Sequence, residues 1–209
     1  MVGQAFSLNG TSAYVSVPDA ASLDPTNAIT VETWINPAAH VGPYDPIVKK
    51  AGEGSQQQDG YTLEFAGNNL VFLVYISGTG WVASPQVSVP LGQWSYVAGT
   101  YSAGSGLSLY VNGQLVGTTV VGGQMSPSGN TLDIGHDPSN SDRWYDGLID
   151  EPSVYNRALS PAEIQWIYNA GSAGKRRLAQ GPVGCASVGS LSPVPSHDPP
   201  HLPPAEENS

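Results

Sequence analysis

The sequence predicts an antiparallel β-sandwich, and three observations carry that expectation. Turn-forming residues are abundant, with 25 Gly and 18 Pro in 209 residues, while charged residues make up only 11%. That composition suits many short strands joined by tight turns. Short apolar segments recur between turn signals at a spacing of roughly 8–12 residues, as in sandwiches. One segment alternates strictly: Ile29, Val31, Thr33 and Ile35 face one way, and Thr30, Glu32, Trp34 and Asn36 the other. That period of two belongs to a strand with one buried face.

Ala5 to Leu8 and Ala13 to Val17 flank Asn9-Gly10-Thr11-Ser12 and read as a hairpin turning at Asn9-Gly10. The alternating segment follows, and Pro37 is expected to stop it. Residues 38–60 read as loop, with only Ile47-Val48 strand-like. Tyr61 to Phe65, Asn69 to Ile76 and Trp81 to Ser84 come next. The unbroken apolar run from Leu70 to Ile76 predicts a central strand covered on both faces. Trp94 to Tyr101 and Leu107 to Val111 lead to Asn112-Gly113, the strongest hairpin signal in the chain. A type I′ turn needs positive φ at both central residues, which Asn and Gly tolerate. Gln114 to Val121 is the return strand, and Thr131 to Gly135 and Gly147 to Tyr155 complete about a dozen strands.

One helix is expected. Ser160-Pro161-Ala162-Glu163 forms a capping box with Pro in the first helical position. Leu159 and Ile164 are placed to staple its start, Ile164, Ile167 and Tyr168 share a face, and Gly171 ends it. After Gly174 apolar periodicity is lost, and seven of the prolines lie from Pro182 onward. The chain therefore divides into a sandwich domain, 1–173, and a Pro-rich tail, 174–209, expected to be disordered.

The formal net charge is -10. Before Gly174 only Lys49, Lys50, Arg143 and Arg157 are basic. No basic patch is present for phosphate, so nucleic acid is excluded as a partner. Clustered carboxylates leave cations as candidates, beside the plainer reading of solubility. The single Cys185 allows no internal disulfide. The longest apolar run is too short to span a bilayer. Met1-Val2-Gly3-Gln4 leads directly into strand-like sequence, so the chain reads as a domain excerpt or as a protein whose export signal has been removed.

Catalytic signatures are missing. No Glu-x-Asp-x-x-Glu, Gly-x-Ser-x-Gly, His-Glu-x-x-His or phosphate loop occurs. Asp150 and Glu151 are adjacent and would point to opposite faces of a strand. His40 and His136 are isolated and read as surface residues. The expectation is a binding module and not an enzyme. Aromatics at predicted loop–strand junctions, Tyr44, Tyr61, Trp81, Trp144 and Tyr145, are candidates for stacking on the apolar faces of sugar rings. Trp34 and Trp94 read as core.

Four segments together resemble the laminin G-like domains of bacterial secreted proteins, in the concanavalin A-like lectin/glucanase superfamily and distantly related to the pentraxins. They are Phe6 to Pro18, Ile29 to Pro37, Trp94 to Gly113, and Gly147 to Ser160 with its capped helix. The resemblance covers residues 3 to about 172. It implies an all-β, antiparallel jelly-roll sandwich with one short C-terminal helix, and an extracellular or secreted location. It implies binding of a polysaccharide, a glycan or an extracellular protein surface, without membrane insertion. It also implies a structural calcium between the first turn and the last strand. Asp150 would supply the charge and Asn9 and Gly10 the turn oxygens, since calcium takes six to eight oxygen ligands. His136 to Asp142 lie in the region where pentraxins bind ligand through calcium, with the ligand pattern only partly present, which makes Asp137 a candidate contact. Asn9 and Ala13 stand where the family often has Asp. Pro152 stands where a β-branched residue is usual, so the last strand is expected to be bulged or at an edge there. A structural or adhesion module without sugar affinity and a glycoside hydrolase remain the alternatives.

Overall fold

The computed structural model describes residues 5–52 and 59–171. Cys185 and the expected disorder after Gly174 lie outside the described residues. Thirteen strands, numbered in chain order, form two antiparallel sheets. The six-stranded sheet runs β1 (Phe6–Asn9), β13 (Asp146–Tyr155), β3 (Ala28–Ala39), β9 (Ser95–Ser102), β10 (Gly106–Val111) and β11 (Gln114–Thr119). The seven-stranded sheet runs β2 (Val15–Val17), β12 (Leu132–Ile134), β4 (Tyr44–Lys50), β5 (Tyr61–Ala66), β6 (Asn69–Ile76) and β7 (Gly80–Ala83), with β8 (Val87–Ser88) also on β6.

The inner faces close on each other as the alternation requires. Ile29, Val31, Ile35, Val97, Tyr101, Leu107 and Leu109 from one sheet meet Leu63, Phe65, Leu70, Phe72, Val74 and Ile76 from the other. The sheets approach closely at Gly99, where an added Cβ would lie 2.2 Å from the Phe72 ring. Asn112 and Gly113 adopt φ of 50° and 77° between β10 and β11, as the hairpin signal requires. The α-helix α1 (Pro161–Ala170) carries its full capping box and lies on the outer face of the six-stranded sheet. There Tyr168 stacks on Trp34 at 5.7 Å between centroids. Ile164 and Ile167 are buried. Trp34 is thus packed between sheet and helix, not between the two sheets.

Three expectations are corrected. Asn9-Gly10 does not turn a hairpin: β1 pairs with β13 in one sheet and β2 with β12 in the other. The Asn9 side-chain oxygen accepts the N–H groups of Thr11, Ser12 and Ala13 at 3.2, 2.9 and 2.9 Å. Donors that a hairpin ladder would satisfy are satisfied by this side chain, and the chain crosses between sheets. Pro37 does not stop β3, which continues to Ala39 past a register shift opposite Asp146 and Gly147. A bulge is where a residue without an N–H is tolerated. Residues 44–50 are a complete strand and not loop. Pro46 and two lysines hid it, because its charged side chains are buried and paired instead of solvated. At Pro152 the strand is bulged as expected, with the register slipping between Asp150 and Ser153.

Candidate ligand-binding face

Among the described residues no helix covers the outer face of the seven-stranded sheet. Period two decides what stands on it. On β5, Leu63 and Phe65 point into the core and Thr62 and Glu64 point out; on β12, Leu132 and Ile134 point in and Asp133 points out. Strand register sets Asp133, Lys49, Thr62 and Leu73 side by side in one row. The segment 136–144 folds back over this row and delivers Asp137 and Arg143. A cleft of about 120 Å³ results, lined by Lys49, Thr62, Glu64, Leu73, Trp81 and Arg143.

The electrostatics of the cleft are internally balanced. Asp137 is fully buried, and its Oδ2 accepts bonds from Lys49 Nζ at 2.5 Å, Asn140 Nδ2 at 2.8 Å and Arg143 at 3.1 Å. Its Oδ1 accepts the Ser139 N–H at 3.1 Å. Burial pushes its pKa up, but the bond from Lys49 and that ammonium's charge outweigh it and hold the carboxyl below the usual aspartate range. Glu64 goes the other way. Burial raises it, against the charge of Lys49 and a 3.1 Å bond from the Thr62 hydroxyl. The neighbouring lysine is buried for a different reason: Lys50 Nζ reaches Asp19 at 2.7 Å, Asp24 at 3.1 Å, and the carbonyls of Ser128 and Asn130.

Aromatic rings stand on both flanks of the cleft. On the β2–β12 side His136 stacks on Trp144 at 3.7 Å, with Tyr14 against both rings at 5.0 and 6.0 Å. On the β6–β7 side Trp81 meets Tyr75 edge to face at 5.6 Å. Between them the Arg143 guanidinium lies 4.6 Å over the Tyr44 ring, an arrangement that holds the charge without removing its donors from solvent.

Residues 9–165 match a laminin G family described as belonging to the concanavalin A-like lectin/glucanases superfamily. The chain belongs to this laminin G family. Among curated proteins, the pentraxin-related protein PTX3 of Homo sapiens is 40% identical over 99 residues, covering 46% of this chain and 25% of that protein. The Mus musculus protein is 34% identical over 88 residues, covering 37% and 23%. The chain thus aligns with about a quarter of the length of these relatives. Among solved structures, the SAP-like pentraxin of Limulus polyphemus has a TM-score of 0.58 at 22% identity, covering 79% of this chain and 82% of that one. The binding domain of Paraclostridial Mosquitocidal Protein 1 has a TM-score of 0.62 at 15% identity, covering 78% and 42%. Botulinum neurotoxin type C, in a study of its interaction with two ganglioside molecules, has a TM-score of 0.59 at 16% identity, covering 81% and 45%. These likenesses establish the jelly-roll fold.

In this laminin G domain the residues singled out from sequence part company. Trp81 lines the cleft, and Tyr44 and Trp144 stand at its rim. Asp137 lies beneath it as the anchor of Lys49 and Arg143. Tyr145 is 1% exposed, belongs to the core and donates its hydroxyl to the Leu148 carbonyl at 3.3 Å, so it cannot present a ring to a ligand. Tyr61 is likewise core. His40 and His136 are not surface residues: His40 sits 3.1 Å from Asp45 and edge-on to Phe65, and His136 is stacked and buried. Lys49, Thr62, Glu64, Leu73 and Arg143 were missed. The one signal for the cations was their scarcity in an acidic domain.

The calcium set does not come together. Register pairs Asn9 with Asp146, not with Asp150. Asp150 lies four residues further along, opposite Trp34, or about 13 Å at a strand's rise per residue. Calcium ligands sit about 2.3–2.6 Å from the ion. Asn9 already spends its amide oxygen on three N–H groups. Asn9, Gly10 and Asp150 therefore do not fit one ion. Among the described residues no group of three or more His, Cys, Asp or Glu is arranged to hold a metal.

Proposed function

We propose that this domain is a non-catalytic carbohydrate-binding module whose site is the outer face of the seven-stranded sheet. The observation that carries the reading is the make-up of the cleft. Lys49 and Arg143 offer donors, Glu64 and Thr62 offer acceptors, and Trp81 offers a ring beside them. Hydroxyl pairs on a sugar both donate and accept, and its C–H face packs on an aromatic. The module occupies residues 1–173, apart from a tail at 174–209, and works outside the cell. Structural neighbours lend support in kind: one is botulinum neurotoxin type C, studied for its interaction with two ganglioside molecules, and one is the binding domain of botulinum neurotoxin DC in complex with SialylT.

Catalysis is disfavoured by the same geometry. A raised Glu64 and a lowered Asp137 in one cleft resemble an acid–base pair. A glycosidase carboxylate, however, must reach the sugar or a water, and both oxygens of Asp137 are committed to Lys49, Arg143, Asn140 and Ser139. The reading requires no calcium. The test is a glycan array probed with the native domain and with Trp81→Ala. Native binding should fall by up to about ten-fold in the variant at an unchanged melting temperature, in line with the worth of one aromatic contact. Capture of a protein ligand with no glycan bound would favour the adhesion alternative, as with the neighbouring toxin domain solved with rat synaptotagmin II.

A further inference from the structure

The aromatic stations flank the cleft on different strands, and the separation between them sets the size of ligand the face can hold. Ser16 pairs with Asp133, so Tyr14, two positions earlier on the same side of the chain, stands on the outer face. His136 lies against the Tyr14 ring and stacks on Trp144, which puts both on that face as well. On the far flank, Val82 packs on the core. Its neighbour Trp81 therefore points outward, beside Tyr75. Four strand gaps separate β12 from β7, about 19 Å at the usual inter-strand spacing. The stations are also offset along the strands. Relative to the row Asp133–Lys49–Thr62–Leu73, Tyr75 lies towards the Gly60 end of β5, while Tyr14 lies towards the opposite end. The line joining them is a diagonal, and the polar cleft lies on it.

We infer that the face takes an extended chain of sugar units, laid diagonally across the strands from the Tyr14–His136–Trp144 stack to Trp81, and not a single terminal sugar. The inference rests on the carbohydrate reading of this face. One pyranose ring covers one aromatic and a few polar groups. It cannot touch both flanks. A linear oligosaccharide stacks a unit at each end and sets the hydroxyls of the units between against Lys49, Thr62, Glu64 and Arg143. Stacked rings at the ends and donors and acceptors in the middle match a neutral linear chain, since Lys49 and Arg143 are both already paired with Asp137.

The experiment is an array of linear glucans, mannans, xylans and galactans, each from monosaccharide to hexasaccharide, followed by calorimetry on the best series. Affinity should climb by about ten- to a hundred-fold from disaccharide to hexasaccharide, the product of two stacking contacts. Tyr14→Ala and Trp81→Ala should each weaken hexasaccharide binding about ten-fold, and Tyr14→Phe, which keeps the ring, should restore it. Tyr14 is 48% exposed, so the native melting curve should survive its replacement. If a monosaccharide binds as tightly as its hexasaccharide, or Tyr14→Ala binds hexasaccharide like the native domain, the extended site is wrong while the carbohydrate reading stands. If no sugar of any length binds, both fall.

Discussion

Lys49 and Lys50 are neighbours in a strand, and both are buried, yet they lead to opposite outcomes. Lys50 is enclosed by two carboxylates and two carbonyls away from the cleft, while Lys49 lies under the candidate ligand. A buried ammonium is tolerated only when oxygens replace its water. Lys50→Met should therefore destabilise the domain by about 3 kcal/mol, the low end for breaking a buried ion pair because Asp19 is partly exposed; urea unfolding measures this. Asp137 makes a second prediction. Its folded pKa lies below the ordinary value of 3.8. The stability it contributes is thus fully present above that value and is lost as pH falls through the lower folded one. Asp137→Asn should lower stability at neutral pH and flatten the decline in acid, read from melting temperatures between neutrality and the acid limit. Neither role was legible in the sequence. A Lys-Lys pair next to Pro46 and a Gly-rich stretch has the composition of a solvated loop, and only the partners, 78 to 88 residues away for the Ser128 carbonyl and Asp137, reverse that.

At the scale of elements, local chemistry was readable wherever the partners are close in sequence. The helix start is the clearest case: the Ser160 hydroxyl accepts the Glu163 N–H at 3.3 Å, and Glu163 accepts the Ser160 N–H at 2.9 Å. Arg157 and the Ser160 N–H hold Glu163 down to about 2, a surface effect that fades as the acid protonates. Ser160→Ala should cost about 1 kcal/mol. Ile164→Ala should cost about 2–5 kcal/mol because that residue is fully buried against the sheet; equal, negligible shifts in chemical denaturation would mean the helix is not docked. Gly99 shows the converse. Nothing in Val97-Ala98-Gly99-Thr100 announces a close approach, yet the Phe72 ring from the opposite sheet fills the space a side chain would need. Gly99→Ala should cost about 1–3 kcal/mol as overpacking. Asn9-Gly10 and Asn112-Gly113 carry the same dipeptide and make different structures. The second joins strands adjacent in one sheet; the first carries the chain between sheets under an Asn side-chain cap. Strand partnership is decided by residues far along the chain, here β13, and a turn signal does not report it.

For the whole molecule, period-two patterning was enough for the sandwich, since it fixes which side chains share a face. It was not enough for the site, since it does not say which strands adjoin. Lys49, Glu64, Leu73, Trp81 and Arg143 come from four strands and a connecting segment, and only sheet order and register bring them to one cleft. The expected calcium residues part on the same point: Asp150 was set against the Asn9-Gly10 turn, where register places Asp146. Acidity alone does not create a metal site: Asp137, the acid at the heart of the cleft, already has Lys49 and Arg143 as partners. The prediction at this scale follows from linkage. An ion that binds only the folded state at about 100 times its Kd adds roughly 2.7 kcal/mol of stability. Because Asn9 and Asp150 stand too far apart to share one ion, Asp150 should carry no calcium response, whatever the melting curve does in EDTA and in millimolar calcium. Asp150→Asn should shift it by an equal amount in both. A calcium-dependent rise abolished by Asp146→Asn would instead locate an ion at the Asn9-Gly10 turn, with the carboxylate that register puts there as its ligand.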